Sequence, residues 1–321
     1  MTTSPVLVVT QLDDLTADLV IEELGRRQVP VVRLDPGDFP DAVAVTAHVG
    51  DSGLSGTLRT VTRGTALDGV RSVYWRRPRP YGAPGGLSGA DARWCAEQAR
   101  YGLGGILASL TGAHYVNHPW SNRAAEYKPA QLAAAAACGF TVPPTLLTNH
   151  VAEARKFVRE HGPVVYKPLY NSEYADEDGR GLTVWVEEVA PEDLDDGVAR
   201  TMHLLQERVT KVADVRLTAV GNSLFAVRID GSPGLDWRRH YDDVSYTLIE
   251  TPPHVVKAAH NYLERFNLAF GAFDFGLDGT GAWHWYECNP NGQFAWFPDP
   301  ITSPIVNAIA DQLQQPDRDH R

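Results

Sequence analysis

Cysteine is scarce in this chain, and what little there is stands apart. Cys95, Cys138 and Cys288 form no C-x-x-C pair, which excludes a disulfide framework and a cysteine-built zinc site. The expectation is reduced thiols, each a small core residue, in a cytoplasmic protein. An excess of positive charge is also missing. Lys and Arg number 29 against 40 Asp and Glu, for a net charge of -11, which leaves no basic face for nucleic acid. No apolar run approaches the ~18–20 residues that cross a bilayer, so no membrane partner is expected. Met1–Pro5 lacks the basic start of a secretion signal, and none is expected. The eleven histidines show no H-E-x-x-H spacing, and no internal repeat is present.

What is there belongs to a folded enzyme. Hydrophobic residues make up 43% of 321, with eight Trp and twelve Tyr, enough to fill two or three lobes. The opening PVLVVT reads as a buried strand. An Asp13 or Asp14 cap starts a helix over 13–27, and a second strand covers 31–34; this strand–helix–strand order with continuous apolar strands predicts a parallel sheet. A hairpin is expected around Asp51-Ser52-Gly53, a strand over 70–75 and a long helix over 87–110. An Ala-rich helix over 130–138 stops at Gly139, and strands over 145–147 and 164–166 flank a helix over 151–160. The remainder is strand-rich, with helices over 253–266 and 303–313. The reading divides the chain into sections 1–116, 117–195 and 196–321.

Three groups of residues carry chemistry. Asp274 lies in AFGAFDFGLD, and Glu287 and Asn289 lie in WHWYECNPNGQ. A hairpin through Asp278–Gly281 would bring Asp274 beside the end of the second strand, where Glu287 and Asn289 share a face. Two carboxylates and an amide are oxygen donors suited to Mg²⁺ rather than zinc. The competing reading is a capped turn with solvated acids. Next come two lysines, Lys128 at a helix start before Pro129 and Lys167 at the end of GPVVYKP, each able to aim an ammonium at a phosphate; either alone is more often a solvated charge. Finally, Gln206, Glu207, Arg208 and Val209 end one strand, and the following hairpin holds Asp214, Arg216 and Arg228. An exposed strand end can read a purine edge, a property any strand end shares.

In this order, Lys128, YKP, QE, D-x-R, Arg228 and D…E-x-N, the sequence resembles the ATP-grasp superfamily over about 117–310, and the preceding α/β section fits its pre-ATP-grasp domain. VYWRRP (Val73–Pro78), NHPW (Asn117–Trp120) and ECNPNGQ (Glu287–Gln293) look more narrowly like the graspetide synthetases, ATP-grasp maturases of ribosomal peptides. The resemblance implies an α/β fold, with a Rossmann-like N-terminal domain before a two-lobed α+β ATP-grasp unit, and ATP and Mg²⁺ as cofactors. It places Lys128 and Lys167 on phosphates, Gln206, Glu207 and Val209 at the adenine hinge and Asp214 by the ribose. Arg216 and Arg228 become the catalytic cations, and Asp274, Glu287 and Asn289 the metal ligands. It implies a precursor peptide with leader and acidic core as partner, ester or amide macrocycles as product, and a homodimer. One departure is the stretch Asn171–Gly181, which has only Gly179 and Gly181 where many relatives carry a glycine-rich phosphate loop.

An enzyme of net charge -11 repels an acidic peptide at long range, so local cations must receive it. Arg216 and Arg228, Arg238 and Arg239 in PGLDWRRHY, and the run Arg76, Arg77 and Arg79 in the first section are the candidates, since Arg forks onto carboxylates; a solvated or salt-bridged edge is the competing reading for the run. Two other functions fit the same residues. One is a ligase adding an amino acid to a small molecule or protein tail; the other is an inactive peptide-binding scaffold.

Overall fold

The structure is a computed structural model. It describes residues 4–314 apart from 52, 171–173, 176–177, 179, 232–233 and 238–242, and the backbone alone at 174–175. In the first section β1 (Val6–Val9), α1 (Leu15–Arg26) and β2 (Val31–Leu34) open the chain. An antiparallel trio follows, β3 (Val43–Gly50), β4 (Gly53–Thr60) and β5 (Gly64–Ala66), then β6 (Ser72–Trp75), α2 (Gly89–Leu107) and β7 (His114–Val116). Strands β2-β1-β6-β7 form one parallel sheet, as the run of unalternated apolar residues at 6–9 requires: Val6, Leu7, Val8 and Val9 are all fully buried, with side chains on both faces. Asp14 accepts a hydrogen bond from Ala17 N and caps α1.

Two short helices lead out, α3 (Pro119–Ala125) and α4 (Lys128–Cys138). The latter stops where Gly139 adopts φ +98°, a left-handed conformation that a glycine takes without penalty. Then come β8 (Thr145–Thr148), α5 (Val151–His161), β9 (Val164–Lys167), the small pair β10 (Tyr174–Ala175) and β11 (Gly181–Leu182), β12 (Glu187–Val189) and β13 (His203–Glu207). Strands β12-β9-β13-β8 make an antiparallel sheet with α5 on one side. The last part holds β14 (Lys211–Val220), β15 (Ser223–Asp230), β16 (Ser245–Ile249), α6 (Pro253–Phe266), β17 (Phe270–Asp278), β18 (Trp283–Asn289) and α7 (Asp299–Gln314), with the strands in one antiparallel sheet ordered β16-β15-β14-β17-β18.

That five-stranded sheet has two differently covered faces. One packs on α4 and α6 through Ala134, Ala258, Tyr262, Val215, Phe273, Phe275 and Trp285. At its far end the other face contributes Val220, Val227 and Phe270 to a core that also contains Val6, Val20, Leu24 and, from α7, Ile309 and Leu313. The final helix therefore packs back on the first sheet, and the beginning and end of the chain share one core. Helix α7 starts at Asp299, four residues earlier than expected; of its prolines, Pro300 lies in the first turn, where no N–H partner exists, and Pro304 forgoes a single helical bond. No described helix is long and apolar enough to cross a membrane.

Candidate active site

The two antiparallel sheets face each other across a cleft of 590 Å³. Its floor is a row of side chains set by strand register. Arg216 on β14 stands directly opposite Asp274 on β17, and Asp274 directly opposite Glu287 on β18. Asn289, two residues on, pairs with Ala272 and shares the cleft face. The expectation that Asp274, Glu287 and Asn289 meet is thus met by geometry. Its cause is a β-bulge that the sequence did not announce: Phe275 pairs with Trp285 whereas Asp274 pairs with Glu287, leaving Tyr286 as the extra residue. Without it, Trp285 and Glu287 would point the same way. With it, Trp285 enters the core and Glu287 enters the cleft.

Each acid in the row is balanced by a cation. Arg216 Nη1 donates to both oxygens of Asp274 at 2.8 Å, and its Nη2 to the Gln293 carbonyl at 3.2 Å. Lys128 Nζ bonds Glu287 Oε2 at 2.6 Å, and Asn289 Nδ2 spans Asp274 Oδ2 and Glu287 Oε1 at 3.3 and 3.2 Å. Arg216 lies over the Trp296 ring, 5.6 Å from its centre, and its buried Nε has no hydrogen-bond partner among the described residues. From the opposing sheet Lys167 Nζ donates to Gln206 Oε1 at 2.6 Å and sits 4.2 Å above the Tyr286 ring. That ring passes over Gly276, where any Cβ would collide with the Tyr286 hydroxyl.

Burial sets the charge states. The enclosure of Lys167, reinforced by the neighbouring Lys128 and Lys211, pulls its ammonium down to about 7, against a smaller opposing pull from Glu287 and Asp274. Asp214 moves the other way: burial lifts its carboxyl to about 6 although Lys211 Nζ bonds both its oxygens at 2.7 Å. Lys211 is a cleft residue that sequence reading missed. It ends the Q-E-R-V-T-K run three residues before Asp214, and that i, i+3 spacing with an acid was the available signal. Lys211 also donates to the Leu235 carbonyl at 2.9 Å, tying the 234–237 turn to the cleft.

Lys128, Lys167, Gln206, Glu207, Val209, Asp214, Arg216, Asp274, Glu287 and Asn289 all line this cleft, as does Arg77 at its exposed edge. Arg228 does not. In the β14–β15 hairpin Arg216 pairs with Val227, and Arg228 pairs with Val215, so Arg228 projects from the opposite face and forks onto Asp230 at 2.7–2.9 Å. Its expected catalytic place is corrected accordingly. Arg76 is corrected too. It is 2% exposed and ion-paired with Asp14 at 3.3 Å, so its guanidinium is held inside the protein instead of meeting substrate. Arg238 and Arg239 lie outside the described residues, as does Gly179; β10 and β11 pair as a short hairpin in the stretch that replaces the glycine-rich loop. Cys288 is fully buried behind the row, where burial pushes its thiol well up.

The motifs outside the cleft act as its scaffold. Asn117 of NHPW is buried. Its Oδ1 accepts from Ala269 N and Phe270 N at 2.7 and 2.8 Å, and its Nδ2 reaches the Phe270 and Pro290 carbonyls at 2.9 and 3.0 Å. Gln131 on α4 brackets Cys288, accepting from its N–H at 3.1 Å and donating to its carbonyl at 3.0 Å.

Two facing antiparallel sheets with the Asp274–Glu287 row on one, lysines on both and a parallel α/β unit in front are the arrangement of an ATP-grasp ligase. The family model of the MvdD pre-ATP grasp domain matches residues 5–123. No curated protein sequence matches the chain. Among solved structures, a RiPP-associated ATP-grasp ligase of Chryseobacterium gregarium, in complex with ADP and a leader and core peptide, superposes with a TM-score of 0.89 at 25% identity, covering 99% of this chain and 98% of that one. The macrocyclase MdnC of Microcystis aeruginosa MRC, bound with precursor peptide MdnA, gives 0.85 at 26%, covering 97% and 99%. The macrocyclase MdnB of the same organism gives 0.81 at 26% with the same coverage. Over nearly its whole length, the chain is similar to these ATP-grasp ligases and macrocyclases of ribosomal precursor peptides.

Proposed function

We propose that the chain uses ATP to activate Asp or Glu side chains of a ribosomal precursor peptide as acyl phosphates and closes them into ester or amide macrocycles. The observation that carries this is the single cleft in which Lys128, Lys167, Arg216, Asp274, Glu287 and Asn289 converge, in a chain resembling peptide-bound ligases over nearly its whole length.

In this reading Glu207 and Val209 flank the adenine, Asp214 stands by the ribose, and Lys128 and Lys167 hold phosphate oxygens. A substrate carboxylate oxygen attacks the terminal phosphorus and ADP departs; a hydroxyl or amine of the same peptide then attacks the acyl carbon, and phosphate leaves as the proton is lost. Arg216 acts as the fixed guanidinium facing the transferring group, where preorganised donors have their largest effect. Asp274, Glu287 and Asn289 would hold Mg²⁺. The donors fit that ion, being two carboxylates and an amide in one row, with Lys128 and Arg216 now balancing the charge a cation would balance. Bound there, the metal supplies neutralisation of phosphate charge. Arg77 and Lys211 on the cleft wall offer an acidic peptide the local positive charge that the whole chain lacks. Sections 1–116, 117–195 and 196–321, a homodimer and a cytoplasmic setting belong to the same proposal, the last supported by three free cysteines.

Co-expression with an acidic precursor peptide, followed by intact mass, tests it. Loss of one water per bond is expected. A mass gain would point to residue addition to a tail, and unchanged mass with binding retained to a scaffold.

A further inference from the structure

Arg76 does not line the cleft, yet it holds two successive carbonyls of a loop that borders it. It follows β6, its N–H bonded to the Val9 carbonyl at 2.9 Å. Its guanidinium is gripped from behind by Asp14, through Nε at 3.3 Å and Nη2 at 3.5 Å. Asp14 is itself fixed, accepting from Thr10 Oγ1 at 2.7 Å and capping α1. The remaining hand of the fork, Nη1, reaches across to the C-terminal sheet and donates to two successive carbonyls, Asn291 at 3.3 Å and Gly292 at 3.0 Å. The next carbonyl, that of Gln293, receives Arg216 Nη2. Gly292 packs so closely that a Cβ there would lie 2.7 Å from the same Nη2. Asn289 begins this loop.

We infer that Arg76 is a positioning residue for the loop over 289–293, fixing from the N-terminal sheet where Arg216 and Asn289 stand. An alternative is simple adhesion between lobes. Burying an Arg–carboxylate pair is a poor way to obtain adhesion, since an apolar pair of like volume often stabilises as well or better. What an apolar pair cannot supply is donation aimed at two adjacent carbonyls from a guanidinium that is locked in rotation. Nor can lysine, whose ammonium is a point charge on a flexible stem.

Only the nucleotide arm of the test rests on the ligase reading. Arg76→Lys keeps a positive charge beside Asp14 but loses the fork. The double variant Asp14→Asn/Arg76→Met removes both charges and so leaves no buried ion alone, should the first variant fold poorly. Val73→Ala, in the core of the same strand, serves as a control for loss of thermal stability. Hydrogen exchange of the backbone amides over 287–297 is measured for each. So is ADP affinity with Mg²⁺ and with EDTA. The expected result is faster exchange confined to the loop in both Arg76 variants, and ADP affinity with Mg²⁺ reduced about tenfold, the scale on which supporting shells act on metal sites. Affinity in EDTA stays unchanged, and Val73→Ala shows neither effect. Wild-type exchange in the loop of a folded Arg76 variant would overturn the inference, as would a parallel loss of both affinities. If the wild type binds no ADP, the ligase reading fails and the exchange measurement alone decides.

Discussion

Arg216 and Asp274 are direct cross-strand partners on β14 and β17, and they meet as a buried pair with both Asp274 oxygens on one guanidinium nitrogen at 2.8 Å. Glu287 and its partner Lys128 extend the same row. The floor of the cleft is therefore two ion pairs side by side, each of which must loosen if phosphate and metal enter between them. Replacing Asp274 by Ala leaves Arg216 buried without its partner, a loss of about 3–5 kcal/mol. Glu287→Gln, at a half-buried site, keeps the fold with little change in melting temperature. Both variants lose ATP turnover by roughly 10²–10³-fold. Thermal melts beside ADP release separate the two effects, and near-normal turnover in Glu287→Gln would end the metal assignment.

Lys167 titrates near 7 in the free cleft. A polyanion selects its charged form, so nucleotide binding takes up a proton above pH 7. Affinity should fall by up to roughly tenfold per pH unit from 7 to 9. Calorimetry in buffers of different ionisation enthalpy reads the proton directly, and Lys167→Met removes the dependence. The sign for stability is separate. The native state holds this proton less tightly than the unfolded chain, whose lysine titrates near ~10.4. Lys167 therefore opposes folding most below pH 7, and stability rises with pH between about 7 and 10. A Lys167→Met variant with the same slope would refute this account.

Arg228 faces away from the cleft and forks onto Asp230 at a partly exposed site. Arg228→Ala should cost no more than about 1 kcal/mol and leave turnover within twofold to threefold. Arg216→Ala should abolish turnover. Equal loss in both would mean that the hairpin register differs from the one described.

Gly292 allows the loop to press against β17. A methyl group there overlaps the Ala272 Cβ and crowds Arg216 Nη2. Gly292→Ala should therefore destabilise by about 1–3 kcal/mol, as overpacking does, and reduce turnover by more than its melting temperature explains. Activity measured well below the transition checks this.

The sequence by itself determined the parallel first sheet, since four unalternated apolar residues at 6–9 can only be buried on both faces. It also determined the helix stop at Gly139 and the ordered set of lysines, acids and amide. These signals are local or depend on residue type. Tertiary structure decided which way side chains face. Arg228 looked equivalent to Arg216 until the Gly221-Asn222 turn paired 220 with 223 and made Val227 the partner of Arg216. Trp285 and Glu287 share a parity that one bulged residue, Tyr286, overturns. Arg76 reads as a surface cation in VYWRRP, and only the approach of Asn291 and Gly292, more than two hundred residues away in the chain, buries it. In all three the surroundings of a side chain are settled by partners distant in the chain. For the two strand cases the rule is sharper: faces alternate with a period of two, so a one-residue shift in pairing reverses every side chain beyond it.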